Sequence, residues 1–339
     1  MSRRGVVSAG TWCVDLNKTI AAWPQEDTAN EVIAWEREGG GSGYNMATDL
    51  KRLDPDLPIE AMGLIGDDED GRFLQRHCDE FGILREGLRV TDKDVTHVTD
   101  CFNSLASGRR THIYICGASD HLTPDHFDFR ASNAKFLHLG LPTTHKIMDA
   151  PWRGFPSGWA ATLKAARDCG LKTNMELVTT KRAAVGALGR TCAPHLNFLI
   201  VNDFEIGAVA DVETRVNGAA NPKLIVEALR ATLALGSLEV VVSHFPEGAI
   251  AAMRGGRVFA LGSVAMPQPE IAGVNGAGDA FAAGMLYGLH EGWEVEACMR
   301  LAHACAAASM REVATTTGVA RAAECLALAK RWGFRPAPL

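Results

Sequence analysis

Residues 273–284 read G-V-N-G-A-G-D-A-F-A-A-G, a glycine turn that offers anion binding next to a carboxylate. Gly276, Ala277 and Gly278 carry no bulky side chain, so their backbone N–H groups can approach a ligand closely. If a helix starts near residue 277, these N–H groups are its unpaired donors and suit an anion. They can stabilise a phosphoryl group as negative charge spreads over its oxygens. Asp279 follows about one side-chain length away, where a carboxylate can take a proton from an attacking hydroxyl. The alternative is a plain turn in which Asp279 only favours the positive end of the helix dipole. The run F-A-A-G-M-L-Y-G-L behind it suits a helix packed tightly in the core, which would hold that N-terminus rigidly.

A second glycine-rich stretch, G-G-G-S-G-Y-N-M-A, spans residues 39–47. It is not a dinucleotide fingerprint, because Tyr44 stands where the third glycine of G-x-G-x-x-G belongs, and no G-K-[ST] follows to make a P-loop. It reads either as a flexible loop or as a polyol site in which Asn45 gives a donor and an acceptor to a pair of sugar hydroxyls. Asp15, at the end of G-T-W-C-V-D, is either a turn residue or a partner for two more hydroxyls.

These residues need a frame. Strands are expected at 5–11, 59–65, 135–139, 171–175, 198–201 and 239–243. Helices are expected at 44–53, 70–81, 157–169, 222–235, 279–290, 295–311 and 320–332. This alternation predicts an α/β fold with a mainly parallel central sheet covered by helices on both faces, whose ligands bind outside the carboxyl ends of the strands. Residues 13–38 and 95–116 break the pattern. The second is rich in Thr, Val and Ile, with S-G-R-R as a hairpin turn, and the two together predict a small β-sheet lid. The core then comprises residues 1–12, 39–94 and 117–339.

The totals narrow the function classes. The chain has 339 residues, is 47% apolar and 22% charged, and carries a formal net charge of −6, which argues against a broad nucleic-acid or membrane surface. No apolar run reaches the ~18 residues of a membrane span, and the start lacks a secretory pattern, reading instead as a short tail entering a strand. Nine scattered cysteines without C-x-x-C fit a reduced cytoplasm. His121 and His126, or His303 and Cys305, have no useful metal-ligand spacing.

In order, the motifs resemble those of the ribokinase-like (PfkB-type) carbohydrate kinases from about residue 5 to residue 325. A glycine pair followed by Asn matches Gly40, Gly41 and Asn45. The pattern G-x-x-G-x-D-x-x-G matches Gly63, Gly66, Asp68 and Gly71. An N-x-x-E element matches Asn202 and Glu205, G-A-G-D matches 276–279, and G-A-S-D-H-L-T-P at 117–124 looks like the ribokinase branch. The resemblance implies transfer of the ATP γ-phosphate to a hydroxymethyl group. Asp279 would be the base, and the backbone of Gly276, Ala277 and Gly278 the anion hole. Asp15, Gly40, Gly41 and Asn45 would bind the polyol. Asn202 and Glu205 would organise Mg²⁺ and its waters, Glu205 acting through water. Ser243, Asn275 and His303 would lie near the nucleotide.

Some positions depart from the family. Gly273, Val274 and Asn275 replace D-T-x, so a monovalent-cation site lacks its usual Asp and Thr. D-x-N-x-R becomes K-T-N-M-E, with Lys172 and Glu176 at its ends and only Asn174 kept. Phe245 stands in place of a glycine near the nucleotide, and Gly140 in L-G-L-P replaces a sugar-binding Glu. The acceptor is expected to be a pentose or related polyol. A nucleoside is the variant, with Trp12, Trp23, Phe102 and Tyr114 as a possible slot for its base. A non-catalytic sugar-binding or regulatory protein on the same fold is the alternative of another class. Exposed lid edges predict a homodimer built through the lids.

Overall fold

The computed structural model describes residues 3–312 and 316–339; the first two residues of the expected N-terminal tail lie outside them. The chain starts with β1 (Val6–Gly10), every residue of which is buried. It then leaves the main sheet for β2 (Cys13–Ile20) and β3 (Val32–Gly40) and returns through α1 (Gly41–Leu53), β4 (Ile59–Gly66), α2 (Glu69–Phe81) and β5 (Leu84–Thr91). A second excursion forms β6 (His97–Ser104) and β7 (Arg110–Ile115), followed by β8 (Phe136–Gly140), α3 (Gly158–Asp168), β9 (Lys172–Met175), α4 (Arg182–Cys192), β10 (Phe198–Asn202) and α5 (Asp203–Ala210). A two-residue hairpin, β11 (Arg215–Val216) and β12 (Ala219–Ala220), leads to α6 (Pro222–Ala234). The last elements are β13 (Val240–Phe245), β14 (Gly248–Met253), β15 (Val258–Gly262), α7 (Ala277–His290), α8 (Val295–Ser309) and α9 (Ala322–Trp332).

Nine strands form the main sheet in the order β15-β14-β13-β10-β9-β8-β1-β4-β5. It is parallel from β5 to β13, with β14 and β15 antiparallel at one edge. Its two faces bury separate hydrophobic clusters, one against α1, α7, α8 and α9 and the other against α3, α4, α5 and α6. The chain runs from β1 to β4 on one side of β1 and later to β8 on the other, so the strand order reverses there. Crevices open at such reversals, outside the carboxyl ends of the strands. Here Thr11 N–H, just past β1, donates to Gly140 O at the end of β8 at 2.7 Å.

The small sheet has the order β3-β2-β6-β7, with β2 and β6 parallel and the outer pairings antiparallel. Asp68 ties it to the core. Its carboxylate caps α2 through Gly71 N–H at 2.8 Å and also accepts from Thr96 N–H and Thr96 Oγ1–H, each at 2.7 Å, just before β6. Asp68 of the G-x-x-G-x-D-x-x-G pattern thus joins the two sheets.

The expected strands and helices all form, within a few residues of their predicted ends. Several elements escaped the sequence reading. β5 is an edge strand that leaves Leu84 and Val90 exposed, so it lacks a clean alternation. α5 is eight residues long and apolar nearly all round, so it has no helical period to detect. β14, G-A-I-A-A-M, is too rich in alanine to read as a strand. Among the described residues no helix is long and apolar enough to cross a membrane.

Candidate active site

A cavity of about 540 Å³ lies between the inner face of the small sheet and the carboxyl ends of the main-sheet strands. The N-termini of α1 and α7 point into it. α7 begins after Gly276, whose backbone is left-handed at φ 71°, a conformation that costs glycine little. Gly276, Gly278 and Asp279 all line the cavity, so the first turn of the helix faces it with its unpaired N–H groups.

Asp279 is half-buried. Asn45, in the first turns of α1, donates from Nδ2 to Asp279 Oδ2 at 2.8 Å. The other neighbour of Asp279 is Glu176, at the carboxyl end of β9, and the two carboxyl groups stand close enough to share a proton. Burial raises the pKa of both, and the contact with Glu176 drives Asp279 well above the usual carboxylate range. Two carboxyls in such contact cannot both ionise cheaply. Glu176 is itself fixed. Its Oε2 accepts from Ser42 Oγ at 2.9 Å and lies 3.1 Å from His138 Nε2. His138 is held from behind by Asn174 at 2.9 Å, and burial lowers its pKa to about 4. The departure K-T-N-M-E therefore puts a carboxylate beside the expected base.

Asp15 lines the same cavity from β2. Burial raises its pKa to about 6, against hydrogen bonds from Cys13 and Thr99 that favour the ionised form. Gly40 is needed behind it: a Cβ there would meet Asp15 Oδ2 at 2.2 Å. Gly40 thus supports Asp15 from outside the lining, whereas Gly41 and Asn45 line the cavity directly.

Asn202 and Glu205 form the capping box of α5. Asn202 Oδ1 accepts from Glu205 N–H at 2.8 Å, and Glu205 Oε2 accepts from Asn202 N–H at 3.2 Å. Glu205 also accepts from Thr179 Oγ1 at 2.9 Å, and burial raises its pKa to about 8. Glu205 reaches the cavity, as does Asn275; Asn202 and Ala277 do not line it. Ser243 and His303 lie elsewhere. Ser243 is buried on β13, and His303 packs edge-on against Phe281 at 5.0 Å, its pKa lowered to about 3 by burial. Ser243 Oγ and His303 Nε2 are both buried without a hydrogen-bond partner.

The expected aromatic slot is dispersed. Trp12 is buried in the core against Tyr44, and Trp23 packs edge-on against Phe102 at 5.6 Å. Of the four aromatics only Tyr114 lines the cavity, stacked on His97. Two lining residues with chemistry to offer, Arg110 and His112, went unnoticed in the sequence. They lie on the inner face of β7, where the S-G-R-R pattern suggested only a turn. Among the described residues no group of three or more His, Cys, Asp or Glu could hold a metal by itself.

Known proteins share this fold. The solved ribokinase of Giardia lamblia superposes with a TM-score of 0.82 at 15% identity, covering 98% of this chain and 100% of its own. The Arabidopsis thaliana ribokinase, solved with ribose and ATP, gives 0.76 at 19% identity and covers 97% of this chain and 99% of its own. In sequence, an ATP-dependent ribose-1-phosphate kinase of Halopiger xanaduensis is 26% identical over 305 residues, 89% of this chain and 90% of that protein. A 5-dehydro-2-deoxygluconokinase of Shouchella clausii is 25% identical over 311 residues, 89% and 88% of the two chains. Residues 3–322 match the pfkB family carbohydrate kinases, and the chain belongs to that family as a sugar kinase.

Proposed function

We propose that this kinase transfers the γ-phosphate of ATP to a hydroxymethyl group of a sugar. The observation that carries the reading is the half-buried Asp279 carboxyl in the first turn of α7, beside the free N–H groups of Gly276–Gly278. The helix N-terminus would hold the transferring phosphoryl group, and Asp279 would take the proton of the attacking hydroxyl. Asn45 and Asp15 would hold neighbouring hydroxyls, and Gly41 would let the backbone approach the sugar. Two relatives are named as a ribose-1-phosphate kinase and a 5-dehydro-2-deoxygluconokinase, which supports including acidic sugars beside neutral pentoses and polyols in the acceptor panel.

Glu205 offers a carboxyl group at the cavity wall, and a hard cation such as magnesium takes oxygen ligands, often through water. Asn202 fixes that carboxylate through the capping box, and the metal when bound would neutralise phosphate charge. The small sheet would close over the sugar as a lid, from residues 13–38 and 95–116.

Asp279→Asn tests the reading. Turnover of ATP with a panel of sugars should fall by at least ~10³-fold while acceptor binding persists. Full turnover in the variant, or acceptor binding without any turnover in the wild type, would sink it. The nucleoside variant loses support from the dispersal of Trp12, Trp23 and Phe102.

A further inference from the structure

The cavity lining contains four carboxylates, Asp15, Glu176, Glu205 and Asp279, and one side chain that is always cationic, Arg110. Arg110 is the first residue of β7, and its side chain enters the cavity beside Cys101 and His112. Its Nε and Nη1 are buried from solvent and have no hydrogen-bond partner. No carboxylate among the described residues lies within ion-pair distance of it; Asp15 and Asp279 act on it only through space. The neighbouring histidines do not supply further charge. His97 is buried, which lowers its pKa to about 4, and desolvation together with the Arg110 charge shifts His112 in the same direction.

A guanidinium with two of its nitrogens out of water and no acceptor for them is costly. Natural sites keep such a group when a ligand completes it, and the planar fork matches a carboxylate or a phosphate. Position decides which part of the bound reactants would do so. The helix N-terminus that suits the transferring phosphoryl group belongs to α7 of the core. Arg110 is on the small sheet, on the same inner face as Thr99, Cys101 and Asp15, where the acceptor would sit.

We propose that Arg110 binds an anionic substituent of the phosphoryl acceptor, so that the acceptor is an acidic sugar, either a sugar carboxylate or a sugar phosphate. This inference rests on the kinase reading above and narrows its substrate class. The anion neutralises Arg110 at one end of the sugar while the hydroxymethyl group at the other end meets Asp279. A neutral sugar leaves the buried cation unpaired and binds more weakly.

The test compares acidic sugars with their neutral parents: ribose 1-phosphate with ribose, ribonate with ribitol, and gluconate with glucitol. Binding is measured by calorimetry on the full chain, wild type, Arg110→Gln and Arg110→Lys, with ATP binding measured in parallel. In the wild type at least one acidic member should bind on the order of 10- to 100-fold more tightly than its parent. Arg110→Gln should abolish that preference while leaving the neutral parent and ATP unchanged, and Arg110→Lys should restore part of it. The preferred pair distinguishes carboxylate from phosphate. The inference is overturned if no acidic member is preferred, if Arg110→Gln weakens acidic and neutral sugars equally, or if it weakens ATP instead. Turnover is read separately. An Arg110-dependent preference without turnover would remove the kinase reading and keep the subsite; turnover of neutral sugars indifferent to Arg110 would do the reverse.

Discussion

Asn45 and Asp279 meet across the α1–α7 interface, with the amide Nδ2 2.8 Å from the carboxyl Oδ2. They are 234 positions apart in the chain, yet each sits in the opening turns of its helix. The amide orients the Asp279 carboxyl, the base of the proposed transfer, and favours its ionised form. Asn45→Ala should therefore lower kcat on the order of 10- to 100-fold with little change in the KM for ATP. Steady-state kinetics varying each substrate separately checks this; an unchanged kcat would mean that the amide does not position the base.

Glu176 should set the pH at which the base becomes available. Burial raises Asp279 first, and the negative charge of Glu176 raises it further. A raised base is protonated up to a higher pH, so activity falls on the acid side at a pH above the ordinary carboxylate range. Glu176→Gln keeps the shape and removes the like charge, so the acid limb of kcat/KM should move to lower pH. The same variant keeps an oxygen to accept from Ser42. A limb that stays in place, or moves upward, would show that Glu176 does not act on the base.

How much of this was legible in the sequence depends on where the information lies. Asp279, Gly276 and Asn45 were readable because the constraint on each is local: a glycine turn, then a helix of small residues. Glu176 was visible only as a departure from a pattern, because its importance comes from β9 and α7 ending at the same crevice. Arg110 was read as part of a turn, since S-G-R-R is a good hairpin sequence. The turn in fact closes at Arg109, whose carbonyl accepts from Ser104 N–H at 3.0 Å, and Arg110 then points inward. Likewise α4, R-A-A-V-G-A-L-G-R-T-C, hid behind its glycines. Gly186 and Gly189 are required by close contact with α5, where a Cβ would meet Ala208 O at 2.3 Å and Val209 Cγ2 at 2.5 Å. Tertiary contact overrides local propensity at such positions.

Asp49 carries a prediction about stability. It lies fully buried on α1, neither carboxyl oxygen has a hydrogen-bond partner, and burial raises it well above the usual range. Below the unfolded-state value of about 4 the group is protonated whether the chain is folded or not, and it costs nothing. As the pH rises above that value the unfolded chain ionises first. Stability then falls by about 1.4 kcal/mol per pH unit until the folded-state value is reached. Asp15, raised to about 6, adds to the same trend over a narrower window. Urea unfolding of the unliganded protein between pH 4.5 and 7.5 should show decreasing stability, and Asp49→Asn should flatten the slope. Parallel slopes in the two proteins would show that Asp49 does not titrate in this way.

The small sheet predicts how two copies meet. Among the described residues no further strand pairs with the outer edge of β3 or of β7. On the face turned away from the cavity the register sets Trp35 opposite Lys18, Lys18 opposite Phe102, and Ile113 opposite Asp100. Trp35 is 64% exposed, Ile113 53% and Ile115 62%. An open strand edge with apolar residues on its outer face is an aggregation hazard unless a specific partner covers it. A second copy of the chain presents the same apolar face, and pairing of two such sheets is self-complementary, as a two-fold interface must be. Light scattering on a sizing column should give twice the 36.3 kDa of one chain. Trp35→Glu and Ile113→Lys, on opposite edge strands of the sheet, should each shift the mass toward one chain. Both sites lie on the outer face, so binding of ATP should survive in the separated chains. A wild-type mass of one chain at every concentration tested would rule the pairing out.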